Sequence, residues 1–287
     1  DPTHVFYVWF DALLNYYTAL SYAKPGRDLT DTFWPVDYHL IGKDILKFHT
    51  VYWPAMLMAA DLPLPKHVFV HGFLLGGDGR KMSKSLGNVL DPFEAMERFG
   101  TDALRYYLSR DVAFGGDGSV SMEGVERRYN DELANELGNL ASRSLAMVAR
   151  YRDGVIPDAP FALGEEFDDL AADVAARMDR FDLSGALEAI WLRVRRLNRY
   201  VDEQKPWVLA KDDAKADELD STLATLVEGL RVITVLLHPW MPATTAKLLG
   251  ALGSEDVALD AARPGARTLG TVAAIEPLFP KEPAAAA

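Results

Sequence analysis

The chain has 287 residues, 49% hydrophobic and 25% charged, the mixture of an ordinary globular protein long enough for one large domain or two smaller ones. It has no cysteine, which excludes a disulfide scaffold and cysteine-ligated zinc, and no apolar run of membrane-spanning length. A net charge of −12 argues against a surface that holds nucleic acid everywhere but leaves room for a local basic face.

The chain opens on Asp1 rather than Met, already close to a strand-like run, so it is expected to start inside a longer protein. A cytoplasmic location is the default expectation. "HVFYVWF" (4–10) is almost wholly apolar and rich in β-formers, and predicts a buried strand. "DALLNYYTALSYA" then has helical character up to Pro25-Gly26. "YHLI" (38–41) predicts a second strand, followed by a helix to about Ala60 with Asp44 as a candidate N-cap. "KHVFVHGFLL" (66–75) predicts a third strand. Strand, helix, strand, helix, strand is half of a doubly wound parallel sheet.

A glycine-rich loop follows. Asp91, Pro92 and Glu94 then make a strong helix start with Gly100 as its stop, and Thr101 predicts a second cap. Periodic segments near 123–152, 165–180, 184–204, 214–237 and 242–252 read as amphipathic helices, which a bundle would pack together. The end, "PLFPKEPAAAA", is low-complexity and is expected to finish loosely.

The loop "GGDGRKMSKSLGN" (76–88) has neither a strand nor a helix period. Glycines flank two lysines and two serines directly after a strand of a parallel sheet, where ligands of such folds bind. Mobile cations there suit a triphosphate tail whose charge grows as it leaves. A solvated Lys/Ser loop is the plain alternative. "KMSKS" (81–85) resembles the second signature of class I aminoacyl-tRNA synthetases. The resemblance implies a loop that closes over ATP, with Lys84 the principal catalytic lysine, Lys81 in support, and Ser83 and Ser85 lining the nucleotide.

The flanks "YVWFDAL", "HLIGKDILKFHTVYWPAML" and "VHGFLL" are similar to the methionyl-tRNA synthetase family rather than to the leucine, isoleucine, valine or cysteine enzymes that share the loop. By that resemblance Trp9, Ala12, Tyr16, Phe48 and His49 form a methionine pocket; aromatic rings suit a thioether. On their own, Trp9 in a buried strand reads as core rather than pocket, and His49 as a satisfied core or surface histidine. "GKD" (Gly42, Lys43, Asp44) lacks the Walker A pattern. By resemblance it contacts the adenosine end of ATP; alternatively Asp44 is simply an N-cap. In the helical part, Asn139 and Arg143 share a helix face, and Arg193, Arg195, Arg196 and Arg199 precede Trp207. The resemblance implies an anticodon-binding face through Asn139, Arg143 and Trp207; otherwise the arginines are a solvated stripe and Trp207 a core cap. The acids around 165–169 and 211–219 are expected to lie apart from that stripe.

The fold expected is therefore α/β then all-α: the second half of a Rossmann-type sheet (1–75), the lysine loop and connecting helices (76–122), a helical-bundle anticodon-binding domain (123–275) and a tail (276–287). The implied activity is ATP-dependent activation of methionine to methionyl-adenylate and its transfer to tRNA(Met), with Mg2+ arriving on ATP and no zinc ligands in this chain. None of the six histidines has the His-x-Gly-His spacing of the first class I signature. A catalytically silent tRNA-binding module is thus the alternative, and a monomer is expected once the missing half is supplied.

Overall fold

The structure, a computed structural model, describes residues 2–266 and 270–280, the side chain of Lys84 excepted. The chain divides into two compact units, Asp1–Phe73 with Gly115–Asp117, and Leu74–Phe114 with Gly118–Ala287.

The first unit is a small α/β layer. Helix α1 (Val8–Thr18) and the short α2 (Thr30–Phe33) precede strand β1 (Tyr38–Gly42). A tight 3-10 turn (Lys43–Ile45), a wide π-type turn (Phe48–Tyr52) and α3 (Trp53–Ala59) lead back to β2 (His67–His71). β1 and β2 pair in parallel, from Tyr38 opposite His67 to Gly42 opposite His71. Leu13, Trp53 and Leu57 are buried at the centre, with Trp9, Tyr17, Trp34, Phe48 and Met56 packed round them.

Three expectations fail here. The segment 4–10 is not a strand: residues 4–7 have no regular structure, α1 begins at Val8, and Val5 and Phe6 are 93% and 99% exposed. A strand needs a neighbour for its N–H and C=O groups, and among the described residues β1 pairs with β2 alone. From Val8 onward the backbone satisfies itself as a helix instead. Asp44 is not an N-cap: Gly42 holds that position, and no side chain caps the turn. Finally, 66–75 is two strands. The break falls at Gly72, where a Cβ would lie 2.1 Å from the Gly116 carbonyl oxygen, so only glycine fits.

The second unit opens with β3 (Leu74–Gly76), which pairs in parallel with a strand the sequence pattern did not suggest, β4 (Gly118–Val120). Between them lie the lysine loop, α4 (Pro92–Phe99) and α5 (Thr101–Asp111). Asp91 caps α4 as expected, its side chain accepting from the Phe93 N–H. Thr101 does not cap α5; Gly100, at φ +87°, occupies that position, a conformation open to glycine. A nearly continuous helical rod follows: α6 (Met122–Arg128), a π-type stretch (Tyr129–Gly138) and α7 (Asn139–Arg152).

The bundle is completed by α8 (Gly164–Phe167), α9 (Leu170–Met178), α10 (Leu183–Gln204), α11 (Pro206–Leu209), α12 (Ala216–Leu237) and α13 (Pro242–Ala251). Helix α12 is buried all round from Thr222 to Leu237 and forms the axis of the bundle. The tail does not finish loosely up to Pro280. Phe279 is buried with its ring 5.9 Å from that of Tyr129, whose hydroxyl donates to the Pro280 carbonyl at 2.7 Å. Residues 281–287 lie outside the described part.

Candidate functional site

In the first unit, α1 presents Trp9, Ala12 and Tyr16 at spacings of three and four, which places them along one helix face. Phe48 and His49 come from the π-type turn, whose extra residue per turn rotates both rings toward that face. Trp9 stacks on Phe48 with centroids 4.1 Å apart and planes 13° from parallel. The Tyr16 hydroxyl lies 2.9 Å from His49 Nε2, and His49 Nδ1 lies 3.0 Å from the Ile45 carbonyl oxygen. Burial raises the Tyr16 pKa, so its hydroxyl keeps its proton throughout the neutral range. Of the five expected pocket residues the rings meet; Ala12 sits exposed on the same face.

Behind this set, buried His39 accepts a hydrogen bond from the Trp53 indole at 3.0 Å and lies 4.4 Å from the Tyr16 ring. Sequence reading missed His39, although "YHLI" shows it at an inward strand position.

The Gly42-Lys43-Asp44 turn leaves the carboxyl end of β1. Lys43 Nζ donates to both Asp117 carboxylate oxygens at 2.7 Å and lies 4.7 Å over the Phe73 ring. Asp117 also accepts the Phe73 N–H, and its pKa is lowered first by the Lys43 hydrogen bond and then by that N–H. A Cβ on Gly42 would come within 2.7 Å of the Asp44 carboxylate, which would have to turn aside.

In the second unit the lysine loop is held by its own side chains. Gly79, at φ +74°, lets the chain turn so that Gly79 N–H reaches the Gly76 carbonyl at 2.8 Å. Asn88, which sequence reading passed over, is the staple: Oδ1 accepts the Ser83 N–H at 2.9 Å, and Nδ2 donates to the Lys81 carbonyl and to Asp78. Asp78 also accepts from the Arg80 backbone and guanidinium, and these bonds lower its pKa to about 2. The Ser83 and Ser85 hydroxyls bond each other at 2.7 Å, and Lys81 is exposed. The Lys84 backbone begins a short 3-10 turn (Lys84–Leu86); its side chain lies outside the described part.

On the bundle, Asn139 and Arg143 are exposed on α7, and Arg143 reaches Asp202 on α10 at 3.4 Å. Trp207 on α11 is 41% exposed, so it is not a cap of the core. The arginine stripe differs from the expectation. Arg196 pairs with Glu166 and Glu203, Arg195 with Glu136 and Glu188, and Arg193 donates to the Glu166 carbonyl. Glu166, from one of the acidic clusters expected to lie apart, is therefore a partner of the stripe, while Arg199 stays exposed.

Deeper in, Glu132 accepts from the Tyr106 hydroxyl, from Arg128 at 2.7 Å and from Arg110 at 3.2 Å, and Arg110 also donates to Glu188. Burial works against the Arg110 charge, but the hydrogen bonds it donates to Glu132 and Glu188 outweigh it and raise its pKa. Among the described residues no cluster of three or more His, Cys, Asp or Glu is arranged to hold a metal ion, and no helix is long and apolar enough to cross a membrane.

A parallel half-sheet, a KMSKS loop on the strand after it and an all-helical bundle are together the make-up of a class I aminoacyl-tRNA synthetase. Residues 1–145 match the family model described as tRNA synthetases class I (M), and residues 163–277 match that of the anticodon-binding domain of tRNA ligase. The chain belongs to the methionyl-tRNA synthetase family. It is 50% identical over 269 residues to a methionine–tRNA ligase of Bacillus subtilis and 49% identical over 266 residues to one of Caldanaerobacter subterraneus. These alignments take in 91% and 90% of this chain but 40% and 41% of the relatives, so the chain spans about two fifths of their length. The Mycobacterium tuberculosis methionyl-tRNA synthetase in complex with methionyl-adenylate superposes with a TM-score of 0.86 at 43% identity, over 98% of this chain and 57% of that one. The apo form of the same enzyme gives 0.85 at 41% identity.

Proposed function

We propose that this chain carries the amino-acid pocket, the nucleotide loop and the anticodon face of a methionine–tRNA ligase, which joins methionine to ATP as methionyl-adenylate and passes the methionyl group to tRNA(Met). The observation that carries this reading is the aromatic set Trp9, Tyr16, Phe48 and His49, an uncharged ring-lined surface of the kind a thioether packs against. Lys84 and Lys81 stabilise the growing charge of pyrophosphate as the methionine carboxylate attacks the α-phosphate. Ser83, Ser85, Gly42, Lys43 and Asp44 position the nucleotide, with Mg2+ arriving on ATP. Asn139 and Arg143 bond anticodon base edges, and Trp207 offers a stacking plane. The working unit is a monomer, and its place is the cytoplasm.

Methionine-dependent ATP–pyrophosphate exchange tests this, on the purified chain with and without the part of a relative that it does not span. Exchange restored by that part is the expected result, and Lys84→Ala should then lower it about 10²–10³-fold while tRNA binding persists. Unchanged exchange in Lys84→Ala would remove the role given to that lysine. Absence of exchange in both mixtures, with tRNA still bound, would make the chain a silent tRNA-binding module, the reading that the missing His-x-Gly-His spacing favours.

A further inference from the structure

We infer that His39 is a positioning residue for the thioether pocket: through Trp53 and Tyr16 it holds the pocket's rings in one uncharged, proton-ordered arrangement. The inference rests on the methionine reading of Trp9, Ala12, Tyr16, Phe48 and His49.

Proton bookkeeping fixes both imidazoles. An indole N–H only donates, so His39 Nε2, 3.0 Å from Trp53 Nε1, must present a lone pair. Neutral His39 therefore carries its proton on Nδ1. A carbonyl oxygen only accepts, so His49 Nδ1, 3.0 Å from the Ile45 oxygen, carries the proton there as well. In the neutral ring His49 Nε2 is then the acceptor, and the Tyr16 hydroxyl 2.9 Å away donates to it. Tyr16 is wedged between the two rings, 4.4 Å from His39 and 5.6 Å from His49, so the direction of its hydroxyl depends on both.

Protonating His39 would break this order. A proton on Nε2 would face the indole N–H of Trp53, which is fully buried. It would also place a cation 5.9 Å from His49. Among the described residues no carboxylate is bonded to either imidazole. The α1 side presents Tyr16, the turn after α2 presents Trp34, the π-type turn presents His49, α3 presents Trp53, and β2 has Val68 opposite in register. On the strand itself Tyr38 stacks on His67, and Asp37 is paired with Lys66 at 2.6 Å. Burial first, and then His49, lowers the His39 pKa below its ordinary 6.5. The ordered pocket is thus present at neutral pH, persists somewhat below 6.5, and is lost as pH falls through the folded value.

Long-range ¹⁵N spectra of the histidine rings in the purified chain, followed from about pH 8 to about pH 5, read this directly. His39 should be neutral with the proton on Nδ1 and should titrate below 6.5, and the neutral form of His49 should carry its proton on Nδ1. His39→Gln brings a carbonyl oxygen near the Nε2 position, so it should keep the His49 spectrum and methionine's effect on it, without the acid loss. His39→Leu should shift the His49 signals and weaken methionine about tenfold, the loss of one buried hydrogen bond. An Nε2-protonated or cationic His39 at neutral pH overturns the positioning role, as does His39→Leu leaving His49 unchanged. If the tautomers are as stated but methionine moves neither ring, the methionine reading falls, and the role of His39 with it.

Discussion

Asn88 and Asp78 decide the shape of the lysine loop, yet neither belongs to its five-residue signature. The Asn88 amide satisfies a backbone donor at Ser83 and a backbone acceptor at Lys81, bridging the ends of the stretch that carries the two lysines. Asn88→Ala should therefore leave the fold intact, speed hydrogen exchange at the Ser83 amide and lower ATP–pyrophosphate exchange in the complemented enzyme about tenfold. Equal exchange at Ser83 in both proteins would show that the staple is not needed. Asp78 adds a pH dependence of known sign. Its carboxylate is the form that is bonded, and its pKa is depressed from 3.8 to about 2. Its contribution to loop order is complete above 3.8 and disappears as pH falls through about 2. The signature itself was legible because it is a local string. Asn88 was not, because its partners lie five to ten residues back and only a folded turn brings them to it.

Among the elements, the local start at Asp91 was read correctly, those at Asp44 and Thr101 gave way to Gly42 and Gly100, and the apolar run 4–10, which needs a neighbour, was misread. Asp91-Pro92 begins α4 with its own side chain. The apolar run 4–10 signalled burial without saying against what, and with no strand beside it among the described residues it gave a helix from Val8. The π-type turns are likewise invisible to a 3.6-residue period, though one of them aims Phe48 and His49. The long bundle helices were legible from their periodic apolar residues; the pairing of Arg195 and Arg196 with acids was not, since Glu136 and Glu166 come from other elements. With those arginines occupied, the proposed recognition would fall on the exposed Asn139, Arg143 and Trp207. Trp207→Ala should weaken tRNA binding by about 1–3 kcal/mol with adenylate formation and melting temperature unchanged. A fall in both activities together would assign Trp207 to folding.

At the scale of the molecule, the helical unit is organised round charge as well as apolar surface. Glu132 is 5% exposed and joins α5, α6 and α10 through Arg110, Arg128 and Arg195. Glu132→Ala leaves these guanidinium groups without their shared carboxylate and should cost about 3–5 kcal/mol in chemical denaturation of the chain, with Glu132→Gln costing less. A change below about 0.5 kcal/mol would show that the network is neutral to stability. No periodicity predicts this, because the groups are gathered from separate helices only after folding.

The clasp between Tyr129 and Pro280 spans 151 residues and closes the bundle on itself. A force applied at Pro280 would load the Phe279 plug and the Tyr129 hydroxyl together. Once they yield, the backbone bonds that tie Ala273 to Ala251, Val272 to Gly154 and Gly270 to Ile156 take the load, and the buried Glu228–Arg231 pair, which grips the chain at Ala261, Arg263 and Gly265, comes after them.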